Sequence, residues 1–153
     1  MSYLLIIPAR YNSKRYPGKP LKKINGKEMI SYIWETCESA VEKKNVIIAT
    51  DSKKIYNFCN SKSYNVVMTS KNCLTGTDRL YEVSKKIKKD FYINVQGDEP
   101  LISKNDILNF LKFSKKFKKN VINAYTEIKD EKDYFSKNVP KLVLDGKSNL
   151  LYM

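Results

Sequence analysis

The sequence predicts an α/β fold with a mostly parallel, Rossmann-like sheet and helices on both of its faces. Three observations predict it. Short runs of β-branched and apolar residues recur along the chain, and between them lie segments whose apolar residues repeat with the helical period. The chain has 153 residues, of which 42% are hydrophobic, which suffices for one core but not for two. We therefore expect a single domain over residues 1–153.

The predicted strands are short, continuous apolar runs, which are typical of strands buried on both faces of a sheet. In chain order they cover residues 3–7, 46–50, 65–69, 91–95, 121–126 and 142–144. A turn over residues 145–148 then leads into another apolar strand that begins at Leu150. Regular alternation of strands and helices favours parallel pairing, which brings the carboxyl ends of the strands to one ligand-binding edge.

Four helical segments separate the strands, and in each the apolar side chains share one face. They cover residues 29–41, 55–59, 80–87 and 107–111. Ser103, followed three residues later by Asp106, predicts the start of the fourth helix. A hydroxyl cap and a first-turn acid stabilise the free N–H groups and the positive dipole end at that position.

The absence of histidine excludes several kinds of active site. Ser-His-Asp hydrolases, Cys-His proteases and His-liganded metal centres all require an imidazole. The three cysteines show no CxxC spacing, so we expect reduced core or loop thiols, with neither a disulfide nor zinc. Chemistry in this protein must depend on carboxylates, cations, amides and hydroxyls.

The formal charge of +13 favours partners that carry phosphate, either a nucleotide or a nucleic acid. Arginine occurs only at Arg10, Arg15 and Arg79, and every other cation is a lysine. Because arginine offers a planar fork of donors for bidentate contacts to phosphate or carboxylate, these positions are candidate binding residues. No recognised nucleic-acid-binding module is present, so we expect no nucleic-acid partner.

The amino-terminal apolar run is short and ends at Pro8. It provides neither a signal peptide nor a membrane span. We therefore expect a cytoplasmic protein without a membrane partner.

A basic loop follows the first strand and covers residues 8–21. It carries Arg10, Arg15 and Lys19, and its prolines and glycine restrict the backbone. Cations fixed at the carboxyl end of a strand suit a triphosphate, whereas the alternative is an ordinary exposed basic connection. The loop matches neither GxxxxGK[ST] nor GxGxxG, so a P-loop NTPase or a Rossmann dinucleotide site is not indicated.

Two further segments place polar groups after predicted strands. The fourth strand leads into Gln96, Gly97 and Asp98, where a carboxylate can hold Mg²⁺ against phosphate oxygens, or where Asp98 only helps to cap the next helix. The loop before the third helix is rich in hydroxyls and amides. It suits recognition of a pyrimidine base and ribose, although Asp78 can equally be a helix-start residue.

Four motifs occur in one characteristic order. They are PAR…S.R.PGKPL at residues 8–21, ATD at residues 49–51, GT[DE]RL at residues 76–80 and NVQGDEP.I at residues 94–102. This pattern resembles the CMP-sugar-acid synthetases, and among them the 3-deoxy-manno-octulosonate (Kdo) cytidylyltransferases. The resemblance covers essentially the whole chain, including a lysine-bearing strand at residues 138–144, and it implies a fold of the nucleotide-diphospho-sugar transferase type.

The resemblance implies that CMP is transferred from CTP to the anomeric hydroxyl of Kdo, or of its amino analogue, with release of pyrophosphate, for lipopolysaccharide synthesis. It also implies a requirement for Mg²⁺ and a homodimer. Carried over residue by residue, Arg10, Lys19 and Asp98 would be catalytic, with Asp98 as the Mg²⁺ ligand. The implied substrate-binding residues are Ala9, Arg15 in the phosphate loop, Thr77, Arg79 near the nucleotide and sugar, and Gln96 at the sugar acid.

The chain departs from the family pattern in two places. Cys73 stands where the family commonly has a histidine, and Thr75 where serine is usual. These changes keep a nine-carbon acid, such as sialic or legionaminic acid, open as an alternative substrate. Family members also continue beyond residue 153 into a serine-arginine segment, dimer-forming elements and a second metal-binding aspartate, so a catalytically incomplete CTP-binding fragment is the other alternative.

Overall fold

The computed structural model describes residues 2–12, 16–117 and 120–153. The chain divides into two compact units, Met1–Asn120 and Val121–Met153. The expectation of a single domain over the whole chain stays a prediction, and the two units are described separately.

The first unit contains the strands, long helices and short 3₁₀ helices that surround the main sheet. In chain order these are β1 (Tyr3–Ala9), a 3₁₀ helix (Lys19–Leu21), β2 (Lys23–Ile24), β3 (Lys27–Glu28), α1 (Met29–Ala40), a second 3₁₀ helix (Lys43–Asn45), β4 (Val46–Thr50), α2 (Lys53–Ser61), β5 (Val66–Met68), α3 (Gly76–Lys86), β6 (Phe91–Asn94) and α4 (Lys104–Ser114). The second unit contains α5 (Glu131–Phe135), β7 (Val143–Leu144) and β8 (Leu150–Tyr152).

The main sheet is a four-stranded parallel sheet with the order β5-β4-β1-β6. β4 and β5 add to one side of β1, whereas β6 adds to the other, so the strand order reverses between β1 and β6. In open α/β sheets the crevice outside the carboxyl ends at such a reversal is the usual ligand site. The fold class that the sequence predicts is confirmed.

Helices cover both faces of this sheet because successive side chains of β1 point to opposite sides. Leu5 and Ile7 pack with the apolar faces of α1, α2 and α4 around Trp34. Leu4 and Ile6 pack on the other face, against Val83 of α3. The predicted core thiols Cys37 and Cys59 lie in the first of these clusters, where burial raises the pKa of each to about 12.

Hydrogen bonds at the helix starts follow the sequence signals. The Ser103 side chain accepts from the backbone N–H of Asp106, and the Asp106 carboxylate accepts in return from the backbone of Ser103, which confirms the predicted start of α4. An antiparallel hairpin of β2 and β3, which sequence reasoning missed, turns through Asn25 and Gly26, both at positive φ. No helix within the described parts of the chain is long and apolar enough to cross a membrane.

The second unit contains a short hairpin. β7 and β8 pair antiparallel, and Asp145 closes the turn by accepting from the backbone N–H groups of Lys147 and Asn149, as the predicted turn and final strand require. The predicted strand at residues 121–126 is wrong, because this segment has no described pairing partner and Val121 is fully exposed. A segment with high β propensity forms a strand only where a neighbouring strand pairs with its backbone N–H and C=O groups.

Candidate active site

A cleft of about 550 Å³ opens at the carboxyl edge of the main sheet. Three parts of the chain line it. The first is the end of β1 and the loop after it, with residues 8–10, Tyr16 and residues 19–20. The others are residues 75–76 and Arg79 at the start of α3, and residues 96–98 after β6. The cleft therefore lies over the reversal in strand order, where the fold predicts a ligand site.

Pro8 and Gly97 shape the floor of the cleft. Strand β1 pairs with β6 up to Ile6, whose carbonyl accepts from the backbone N–H of Val95. In this register the next amide of β1 that faces β6 belongs to Pro8, which has no N–H, so the ladder ends there. A Cβ at Gly97 would lie 2.4 Å from the Pro8 carbonyl oxygen, so the close approach of the two backbones requires glycine.

The basic loop presents Lys19 to the cleft from a constrained turn. Gly18 has a φ of +70° and donates its N–H to the Tyr11 carbonyl at 2.7 Å, and Lys19 then begins a 3₁₀ helix in which Pro20 is buried. The Lys19 Nζ donates to the Asp98 Oδ2 at 2.9 Å. This contact joins the loop after β1 to the segment after β6, which are the two places where the sequence predicts phosphate and Mg²⁺ ligands.

A further part of the cleft lining consists of Thr75, Gly76 and Arg79, and we call residues 70–75, which lead into this lining, the wall. The Thr75 side chain accepts from the backbone N–H of Asp78, and the Asp78 carboxylate accepts from the backbone of Thr75, so the two form a capping box. These hydrogen bonds lower the pKa of Asp78. The helix-start interpretation of Asp78 is therefore confirmed. Arg10 reaches this wall, where its Nη1 donates to the Leu74 carbonyl at 3.3 Å.

Arg79 lies at the base of this wall and is only 2% exposed. Its Nη2 donates to the Asp51 Oδ2 at 2.9 Å, and its Nη1 donates to the Thr69 Oγ1. Asp51 directly follows β4 and Thr69 directly follows β5, so one guanidinium joins the carboxyl ends of two strands to α3. Its side chain also lines the cleft.

Glu82, one turn further along α3, anchors the same wall. Its carboxylate accepts from the backbone N–H of Ser70 at 2.8 Å, from the Lys86 Nζ at 3.0 Å and from the Cys73 thiol at 3.3 Å. The Ser70 hydrogen bond is the main cause of the lowered pKa of Glu82, and the Lys86 contact adds to it. Cys73 is therefore held by α3, and desolvation followed by its hydrogen bond to Glu82 raises the pKa of its thiol.

The cleft brings together most of the residues that the sequence singles out. Ala9, Arg10, Lys19, Arg79, Gln96 and Asp98 all line it. Thr77 is exposed on the first turn of α3 and is not part of the lining. Arg15 lies outside the described residues. The alternative in which Asp98 only caps the next helix is not what the structure has, because Ser103 caps α4 and Asp98 contacts Lys19.

Sequence reasoning missed Tyr16 and the partners of Arg79. Tyr16 lines the cleft with 51% of its surface exposed, and no spacing rule distinguishes it from other loop tyrosines. The capping box of Thr75 and Asp78, by contrast, matches the [ST]-x-x-[DE] pattern and was readable from the sequence.

Asp98 suits a metal ion that arrives with a nucleotide. Within the described segments no group of three or more Asp, Glu or Cys side chains is placed to hold a metal by itself. Mg²⁺ commonly takes one or two carboxylates together with substrate phosphates and waters. The Asp98 side chain is 54% exposed beside the cleft, so a Mg²⁺–nucleotide complex fits the residues present, whereas free Mg²⁺ would meet a single carboxylate among the described residues that line the cleft.

Comparisons with known proteins agree with this geometry. Residues 4–153 match the sequence family described as cytidylyltransferase. The chain is 40% identical to the 3-deoxy-manno-octulosonate cytidylyltransferase of Marinobacter nauticus, over 99% of this chain and 59% of that protein. It is 39% identical to the 8-amino-3,8-dideoxy-manno-octulosonate cytidylyltransferase of Shewanella pealeana, over 99% and 64%. The chain thus spans about three fifths of the length of these curated relatives.

Solved structures give the same result. A CMP:2-keto-3-deoxy-manno-octonic acid synthetase in complex with CTP superposes with a TM-score of 0.73 and 38% identity, over 76% of this chain and 48% of that one. A nucleotidyl transferase from Methanothermobacter thermautotrophicus shares the fold, with a TM-score of 0.59 at 17% identity over 72% and 57%. Since the family match covers nearly all of the sequence, the chain belongs to the cytidylyltransferase family.

Proposed function

We propose that this protein acts in the transfer of CMP from CTP to the anomeric hydroxyl of Kdo or of its 8-amino analogue, with release of pyrophosphate. The observation that carries the proposal is the cleft in which the Lys19–Asp98 contact joins the basic loop to the segment after β6. A lysine and a carboxylate at the carboxyl edge of a parallel sheet are the groups that a metal–triphosphate requires. The names of the two relatives support the choice of nucleotide and sugar.

The residues of the cleft fit a substitution at phosphorus. The anomeric oxygen forms a bond to the α-phosphorus while the bond to the bridging oxygen of the departing pyrophosphate breaks, and the hydroxyl proton is released to solvent. Negative charge grows on the leaving group, so fixed cations lower the barrier by stabilising it. In this proposal Arg10 and Lys19 hold the triphosphate, and Gln96 contacts the sugar acid. No histidine is needed for such a step.

Asp98 is the residue that would hold Mg²⁺ in this proposal. When bound, the ion would neutralise phosphate charge. Lys19 would then be free to leave Asp98 and to contact the triphosphate, because both side chains are partly exposed. We expect calorimetry to detect Mg²⁺ binding only in the presence of CTP, and Mg²⁺ binding to the protein alone would contradict this assignment.

The test of the function is pyrophosphate release from CTP and Mg²⁺ with a panel of sugar acids. Kdo or its 8-amino analogue should stimulate release. The two differ at one carbon, so the ratio of the release rates with the two sugar acids identifies the preferred substrate. Release that depends instead on a nine-carbon acid would favour the sialic or legionaminic acid alternative, to which the Cys73 difference points.

A second candidate is a CTP-binding unit that does not complete turnover by itself. It is favoured by the three-fifths coverage of the curated relatives. Calorimetric CTP binding without release for any sugar acid would support this candidate. Absence of both binding and release, with the fold intact by circular dichroism, would contradict both candidates.

Assembly and location are further parts of the proposal. The homodimer that the resemblance implies is tested by light scattering of the purified chain. A cytoplasmic location, where CTP is made available, is tested by cell fractionation.

A further inference from the structure

Asp51 does not line the cleft, but it binds a residue that does. It follows β4 and is not part of the cleft lining, but its carboxylate accepts from the Arg79 Nη2 at 2.9 Å. Arg79 is nearly fully buried, and the Asp51 side chain is 20% exposed. A guanidinium at such a site needs a carboxylate partner, because a buried unpaired charge is strongly unfavourable.

Arg79, held by Asp51, in turn fixes the start of the wall. Its second nitrogen, Nη1, donates to the Thr69 hydroxyl, and Thr69 is the last residue before the wall segment, residues 70–75. The backbone N–H of Thr69 also donates to the Thr50 carbonyl at 2.8 Å. The start of the wall is therefore fixed both to β4 and, through Arg79, to Asp51.

The other end of the wall contacts the proposed triphosphate ligands. Leu74 accepts the hydrogen bond from Arg10, and Thr75 begins α3. A contiguous path therefore runs from Asp51 through Arg79, Thr69 and the wall to Arg10. Packed networks of this kind transmit the effects of distant substitutions when their members are held in one arrangement.

From this path we infer that Asp51 is a positioning residue for the nucleotide site, and that Thr69 acts with it. By fixing the Arg79 guanidinium, Asp51 holds residues 70–75 where the Leu74 carbonyl orients Arg10 toward the triphosphate. The inference rests on the proposed function for its ligand, CTP. Its structural half, the fixing of residues 70–75, does not depend on that ligand.

The test compares Asp51→Asn with Glu42→Gln. Both substitutions remove one negative charge and preserve shape, but Glu42 is exposed and forms its ion pair with Lys44, next to the amino end of β4. Calorimetry with CTP and Mg²⁺, below the melting temperature of each variant, should show about tenfold weaker binding for Asp51→Asn and unchanged binding for Glu42→Gln. Hydrogen exchange of amides 70–75 in the CTP-free protein should become faster in Asp51→Asn alone.

A second pair of variants keeps the inference testable if Asp51→Asn does not fold. Thr69→Val removes the acceptor for Arg79, whereas Thr69→Ser retains it, so only the valine variant should lose CTP affinity and exchange protection. A purely structural role would lower the melting temperature but leave the CTP affinity of the folded variants unchanged.

The outcomes separate the inference from the proposed function. If wild-type protein does not bind CTP, the proposed function fails, while the exchange of amides 70–75 still decides whether Asp51 fixes the wall. If Asp51→Asn and Thr69→Val bind CTP within about twofold of wild type and their exchange is unchanged, the inference is overturned.

Discussion

Two ion pairs of equal length lie at the carboxyl edge of the sheet in different surroundings. Lys19 and Asp98 are 2.9 Å apart with side chains 35% and 54% exposed. Arg79 and Asp51 are also 2.9 Å apart, but their side chains are 2% and 20% exposed. Distance alone therefore does not distinguish the pairs, and burial assigns them different roles.

Burial decides whether a pair can exchange its partners. Water replaces either member of an exposed pair at little cost, so such a pair contributes about 0–1 kcal/mol. Removal of one member of a buried pair leaves a desolvated charge and costs about 3–5 kcal/mol. We therefore interpret the Lys19–Asp98 pair as ligand groups that neutralise each other until a metal–nucleotide binds, and the Arg79–Asp51 pair as part of the scaffold.

The largest expected effect comes from Asp51→Ala. Because the variant leaves the Arg79 guanidinium buried without a carboxylate, and because Asp51 itself is partly exposed, we expect the free energy of unfolding to fall by about 3 kcal/mol. Urea unfolding measures this change. The matched control is Asp98→Ala, for which we expect a change within about 0.5 kcal/mol. Equal losses for the two variants would remove the distinction between the pairs.

Gly97→Ala tests whether backbone packing, rather than the exposed pair itself, sets the position of Asp98. The added Cβ would lie 2.4 Å from the Pro8 carbonyl oxygen, and overpacking against the backbone of a central strand should cost about 2 kcal/mol. We expect CTP affinity to fall as well. Gly146→Ala is the control, because a Cβ there meets nothing within 4 Å. Wild-type stability in both variants would mean that the floor of the cleft adjusts easily.

The sequence predicts the exposed Lys19–Asp98 pair better than the buried Arg79–Asp51 pair. Runs such as residues 3–7 and 46–50 favour buried strands, because continuous apolar stretches are typical of a sheet that is covered on both faces. Lys19 and Asp98 then follow from topology, since parallel strands bring the loops after them to one edge. The Arg79–Asp51 contact spans 28 residues of sequence. No local pattern encodes it, so Arg79 stood out only as a candidate ligand.

The failures of sequence reasoning have identifiable physical causes. Residues 121–126 have strand propensity, but a strand also needs a partner for its backbone groups, and propensity contains no information about partners. The hairpin of β2 and β3 was missed although the sequence carries a turn signal for it. Its Asn25-Gly26 turn is a strong signal, but two-residue strands are too short to show any periodicity.

A smaller effect is expected from Glu82, which ties α3 to the wall of the cleft. Its folded-state pKa lies below the ordinary value of 4.5 because of the Ser70 N–H and Lys86. A lowered pKa stabilises the fold above the unfolded-state pKa, and this stabilisation is lost as the pH falls through the folded-state pKa. The difference in unfolding free energy between wild type and Glu82→Gln should therefore shrink as the pH falls below about 4.5.

Urea unfolding of both proteins between about pH 7 and pH 3 measures this difference and cancels the other carboxylates that titrate in the same range. Glu42→Gln controls for the loss of one exposed negative charge. A Glu82→Gln difference that stays constant down to the acid limit would mean that the fold does not stabilise the ionised form of Glu82 over its protonated form.

The smallest expected effect is the coupling between Lys19 and Asp98. A double-mutant cycle of Lys19→Ala, Asp98→Ala and the double variant should give a coupling of about 0.5 kcal/mol or less in urea unfolding, since both side chains are partly exposed. The Lys44–Glu42 pair, which is more exposed, provides a control cycle outside the cleft. In CTP binding with Mg²⁺, by contrast, each single variant should lose affinity, because in the proposed function Lys19 binds the triphosphate and Asp98 binds the metal ion. A coupling of about 2 kcal/mol in unfolding would instead place this pair in the scaffold, because an exchangeable pair cannot be that strong in water.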